Sequence, residues 1–242
     1  MTPEERDAFM QARAGLPRQG PGLPADVHWA VETIGLHGAV DVFDAGCGPG
    51  DDMVALAKAL PEAQVTGVDM APEFIDLAAE RLRPYGSRVR AEVGDMAAPT
   101  GTYDLIWCAG AIYFLGLTDG LRGWRGALKP GGRVAVSEPV LLQKPATEAA
   151  VAFWADYPQI TDLAGLEERV TAAGFNVLHH RMIVGAPWEA YYTPMQAHLD
   201  ALRAGDVTPA LQAAIDENQA EIDRWRAAPD DIAYALMIVA PA

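Results

Sequence analysis

Apolar residues in this chain follow two rhythms. Short unbroken runs alternate with stretches in which they recur every three or four positions. The runs at residues 40–44 (VDVFD), 63–69 (AQVTGVD), 88–95 (RVRAEVGD), 103–110 (YDLIWCAG) and 133–138 (RVAVSE) predict strands. Between the first two, Met53, Val54, Leu56, Ala57 and Leu60 fall at helical spacing over residues 51–60. Pro72 then opens a helix with Phe74, Ile75, Ala78 and Leu82 on one face. Residues 119–128 predict another helix, stopped by KPGG at 129–132. Strand and helix alternating at this pace predict an α/β fold, a parallel sheet covered on both faces. Ligands of such sheets sit at the carboxyl ends of the strands.

The second half is less regular. Residues 146–156 and 162–173 predict helices, 175–184 a strand, 188–203 and 209–226 two more helices, and 232–240 a seventh strand. This last strand has no crossover helix of its own, so we expect it to run antiparallel at the sheet edge. The two helices before it find no place in the sheet layers and are read as a cap, residues 185–230. At the other end, LPRQGPGLP at 16–24 cannot be regular structure and separates a short helix from a second one at 25–36. Residues 1–24 are therefore read as a covering segment, and 25–242 as the main domain.

Composition narrows the partner. The chain has 242 residues, half of them hydrophobic, and a formal net charge of −15. That size suits one domain. The acidic balance argues against nucleic acid, which needs a basic face, and favours a small-molecule partner. No window carries the roughly 18 unbroken apolar residues of a membrane helix. The polar N-terminus lacks the apolar core of a signal peptide, so a cytoplasmic protein with no membrane partner, a monomer or homodimer, is expected. Two cysteines and five histidines show no ligand spacing, and no metal is expected.

The chemistry-bearing stretch is FDAGCGPGDD at residues 43–52. Its glycines are one residue too closely spaced for the dinucleotide fingerprint GxGxxG, which argues against a nicotinamide dehydrogenase, and no Lys follows as a P-loop requires. Asp44, Asp51 and Asp52 would repel a pyrophosphate and suit a cation. The stretch resembles the first motif of the class I S-adenosyl-L-methionine (SAM) methyltransferases, D/E-x-G-x-G-x-G after the first strand. Four further motifs of that family fall in order: GVDM at 67–70, GDM at 94–96, YDLIW at 103–107 and LKPGG at 128–132. The resemblance implies a Rossmann-like seven-stranded sheet, a SAM cofactor and methyl transfer to a small molecule. It implies cofactor contacts from Asp44, Gly46, Cys47, Gly48 and Gly50, from Asp69 and Met70 at the ribose, and from Asp95 and Met96 at the adenine. A group of bacterial methyltransferases is similar along nearly the whole chain, through RQGPG at 18–22, GAIYFLG at 110–116, AVSE at 135–138, the Phe, Trp, Tyr, Pro and Ile of 153–160, and the Trp, Tyr, Tyr and Pro of 188–194. Many of that group carry an acid where this chain has Ala109.

Candidates for the transfer itself lie near strand ends. Glu138 and Tyr113 are the candidate catalytic groups, and each has a structural alternative: an arginine partner for Glu138, a packed ring for Tyr113. His28 is a weaker candidate and more often structural. Cys108 and Cys47 are read as small residues packed against the cofactor. Trp154, Tyr157, Trp188, Tyr191 and Tyr192, with Tyr113, are read as the wall of the substrate pocket, the alternative being the cap's own core. Arg18 is expected in a lid over the cofactor, near its carboxylate. A SAM-binding sensor or partner subunit without turnover remains the alternative function.

Overall fold

The structure is a computed structural model that describes residues 2–242. Seven strands form one sheet in the order β3-β2-β1-β4-β5-β7-β6. They are β1 (Asp41–Ala45), β2 (Gln64–Asp69), β3 (Val89–Val93), β4 (Tyr103–Ala109), β5 (Leu128–Leu141), β6 (Phe175–Ile183) and β7 (Ile232–Pro241). The first five are parallel, and β7 runs antiparallel to both its neighbours. The expected edge position of the last strand is corrected: β7 lies between β5 and β6. Nine consecutive buried residues explain why, because a strand covered on both faces and paired on both edges has no use for polar positions. The edge falls to β6, which carries the polar run His179, His180 and Arg181 and is largely solvent-facing.

Period-two alternation divides the core in two. Val42, Leu105, Trp107 and Ala135 face one layer, whereas Phe43, Ile106, Cys108, Val134 and Val136 face the other. The first layer is closed by α2 (Pro24–Ile34), α3 (Asp51–Ala59) and the cap, and the second by α5 (Leu117–Trp124) and α7 (Leu163–Ala172). Short α6 (Glu148–Phe153) and amphipathic α4 (Pro72–Leu82) complete the main domain.

The cap contains a helix from each end of the chain. α1 (Pro3–Ala12), held by a reciprocal Thr2–Glu5 capping box, packs on α9 (Pro209–Ala227), which also packs on α8 (Ala186–Arg203). Ala8 and Ala12 of α1 share one interior with Tyr192, Met195, Leu199, Ile215, Ile222 and Trp225. Among the described residues no helix is long and apolar enough to cross a membrane.

Candidate functional site

The carboxyl ends of β1, β2, β3 and β4 open into a cavity of about 490 Å³, and the N-terminal segment lies across it. The glycine loop after β1 is pinned to β2, because the Gly46 and Cys47 amides both donate to the Val68 carbonyl (3.0 and 2.9 Å). Gly46 needs its missing side chain twice over. Its φ is +78°, and a Cβ there would lie 2.7 Å from the Cβ of Ala111. At the end of β2, Asp69 braces the same turn, accepting from the Gly48 amide through Oδ2 and from the Ala71 amide through Oδ1, each at 2.9 Å. Asp95 follows β3 and accepts from the Ala97 amide (2.8 Å), while Trp124 Nε1 holds the Met96 carbonyl (2.7 Å).

Charge is arranged unevenly around the cavity. Asp44 is only 2% exposed, and its Oδ2 has no hydrogen-bond partner. Burial, followed by the charges of Asp52 and Asp69, pushes its carboxyl well up, with Arg18 opposing. Asp52 Oδ2 accepts from both Arg18 Nη2 and Trp107 Nε1 at 3.0 Å. Arg18 also donates from Nε to the Gly20 carbonyl (2.8 Å), which leaves its Nη1 buried and unpartnered. Arg81 clasps this segment to the glycine loop by donating to the carbonyls of Pro17 (2.9 Å) and Pro49 (2.5 Å).

Arg18, Asp44, Gly46, Cys47, Gly48, Asp69, Met70, Asp95, Met96 and Tyr113 all line the cavity. Gly50 does not. It starts α3 at φ +85° and allows that turn to pack on Ala78, where a Cβ would approach to 3.0 Å. Cys108 is fully buried in the opposite core layer. Burial pushes both cysteine thiols up, so neither is a thiolate.

Glu138 is also outside the lining. It is 0% exposed, its Oε1 accepts the Tyr157 hydroxyl, and its Oε2 has no partner. Burial pushes this carboxyl up to about 7, against the Tyr157 hydrogen bond and the Arg169 charge. The Tyr157 ring in turn meets Tyr113 edge-on at 6.2 Å. The expected aromatic wall is corrected as well. Trp154, Tyr157, Trp188, Tyr191 and Tyr192 do not line the cavity. Trp188, Tyr191 and Tyr192 are buried in the cap's interior, and Trp154 packs on Trp188 and Tyr234. With α1 added to α8 and α9 the cap has an interior large enough to need them. The wall at that end is instead Phe9 of α1, Arg13 just past its C-terminus and Phe74, which no motif points to, with Gln19, Phe114 and Leu115, which lie inside quoted motifs but are not singled out by them.

Known proteins resemble this chain in sequence and in fold. Residues 42–132 match the family described as "Methyltransferase domain". The chain is 33% identical over 150 residues to a trans-aconitate 2-methyltransferase of Paracidovorax citrulli, covering 59% of this chain and 56% of that protein. It is 31% identical over 143 residues to a demethylmenaquinone methyltransferase of Deinococcus radiodurans, covering 56% and 59%. The chain thus spans somewhat over half the length of these curated relatives. A SAM-dependent methyltransferase from Geobacter sulfurreducens, solved with S-adenosylhomocysteine (SAH), superposes with a TM-score of 0.85 over 98% of both chains at 19% identity. The fold is therefore the Rossmann-like methyltransferase fold, a seven-stranded mixed sheet flanked by helices. The residues lining the cavity suit a cationic ligand that carries no phosphate, since its wall is acidic and one Asp44 oxygen is orphaned.

Proposed function

We propose that the chain is a SAM-dependent methyltransferase acting on a small-molecule acceptor. The observation that carries this reading is the buried, unpartnered Asp44 oxygen in the wall of an otherwise braced cavity. An isolated buried carboxylate is costly unless a cation or donor meets it. The amino and sulfonium end of SAM supplies that cation. In the same reading Asp69 takes the ribose hydroxyls, Asp95 and Met96 take the adenine, and the free Nη1 of Arg18 takes the methionine carboxylate. Residues 1–24 act as the lid.

When bound, SAM supplies an electrophilic methyl group for in-line displacement. The protein's part is to hold the acceptor in line and dry, worth on the order of 7–11 kcal/mol of barrier. Tyr113 does this at the acceptor end. Burial pushes its phenol up, against the Arg13 charge, so it stays protonated and acts as a hydrogen-bond donor rather than as a base. Glu138 has no exposure to the cavity and is reassigned from base to positioning residue, fixing Tyr157 behind the Tyr113 ring.

Calorimetry with SAH, followed by transfer of a radiolabelled methyl group from SAM into fractionated metabolite pools, tests the proposal. Tight SAH binding with a labelled product supports it. Binding without any labelled product supports a sensor instead, and no binding removes both readings.

A further inference from the structure

We propose that the methyl acceptor is a small carboxylic acid whose carboxylate is received by Arg13; this rests on the methyltransferase reading above. The carboxylates in the cavity wall, Asp44, Asp51, Asp52, Asp69 and Asp95, all come from the ends of β1 and β2, the first turn of α3 and the loop after β3. The acceptor end is built from Phe9, Arg13, Tyr113, Phe114 and Leu115, and its single formal charge is positive. An amine or other cationic acceptor would be repelled by that charge, which Glu221 offsets only in part. A neutral one would leave it unused.

Arg13 is prepared for a ligand. Its side chain is 15% exposed, its Nη1 donates to the Tyr191 hydroxyl (2.8 Å), and Nη2 stands 3.6 Å from Glu221. The guanidinium rests over the Phe9 ring, 4.8 Å from its centroid. Its Nε is buried and has no partner in the protein. Tyr113 lines the same cavity, and Arg13 is the charge that acts most strongly on its phenol. An arginine N–H and a phenol O–H together form a two-donor seat for one carboxylate. Glu221 lies outside the cavity wall and offsets part of the Arg13 charge, which favours a carboxylate over a doubly charged phosphate. Phe9, Phe114 and Leu115 supply an apolar surface for the body of the acid. A cavity of about 490 Å³ must hold cofactor and acceptor together, so the acid is small.

The test uses the full chain saturated with SAH. Mono-, di- and tricarboxylic acids, aliphatic, unsaturated and aromatic, are each paired with the corresponding amide and screened by thermal shift and calorimetry, with phosphate monoesters as a further arm. Acids that bind are then assayed for methyl transfer from radiolabelled SAM. At least one acid is expected to bind and to be methylated, with its amide binding roughly 10- to 100-fold more weakly. Arg13→Met should raise the acceptor KM by a similar factor while changing SAH affinity less than threefold, and Arg13→Lys should restore part of the loss. Unchanged SAH affinity also shows that the variant is folded. The inference is overturned if the SAH-loaded protein takes none of the acids, treats acid and amide alike, prefers a phosphate monoester, or keeps its acceptor KM in Arg13→Met. Failure of SAH itself to bind would be a different result, sinking the methyltransferase reading rather than the choice of acceptor.

Discussion

Glu138→Gln should stabilise the protein progressively as pH rises, relative to wild type. The carboxyl is fully buried, and its pKa is pushed from 4.5 up to about 7. A raised carboxyl pKa means that the folded state holds the proton more tightly than the unfolded chain. The stability this confers is complete below pH 4.5 and is lost between there and about pH 7, after which the loss levels off. At about 1.4 kcal/mol per pH unit the loss is on the order of 3 kcal/mol. Glutamine has the same shape and still accepts the Tyr157 hydroxyl, but it does not ionise. Its amide N–H₂ replaces an oxygen that has no partner, adding a penalty of about 1–3 kcal/mol that does not depend on pH. The diagnostic quantity is therefore the slope of the difference with pH, not its absolute value. Thermal melts of both proteins from pH 5 to 9 should show the variant gaining roughly 6–12 °C on wild type across the range. Parallel melting curves would refute the claim that Glu138 is held in a desolvated site.

Other substitutions probe the remaining parts. Gly46→Ala places a Cβ 2.7 Å from Ala111 at φ +78°, so it should cost about 1–3 kcal/mol and lower SAH affinity at least tenfold by calorimetry. Asp69→Ala orphans the Gly48 and Ala71 amides; SAH affinity should fall more than tenfold and stability by about 1–3 kcal/mol in urea titrations. Asp104→Asn acts at the opposite end of the strands, where Lys129 bridges Asp41 and Asp104 (2.6 and 2.7 Å). Burial pushes the Asp104 carboxyl up, but hydrogen bonds from Lys129 and the Asp41 amide hold it below its usual range. Its stabilisation is thus present above pH 3.8 and lost as pH falls through the lowered value. The variant should lose about 1 kcal/mol, less in high salt, with SAH affinity unchanged.

The strand-end half of the cavity is legible in the sequence because its residues sit where strands end, and strand ends are marked by local signals. Asp44, Asp69 and Asp95 each follow an apolar run, so their convergence follows from a parallel sheet alone. Phe9 and Arg13 carry no such mark. They reach the cavity because α1 packs on α9, a contact between residues about 200 positions apart that no local pattern encodes. Without that contact the cap counts as two helices with little interior, and its aromatics fall to the pocket wall. The place of β7 is readable from its composition and not from its connectivity. IAYALMIVA has no polar position to offer solvent, whereas FNVLHHRMI does.

The central place of β7 has a consequence for biosynthesis. Residues 232–241 are the keystone between β5 and β6, so β6 has no seat in the sheet until they leave the ribosome. Until then the inner edge of β5 is an open template for foreign strands. A nascent chain halted before Ile232 would hold every cofactor motif in its sequence and still be a client for chaperones.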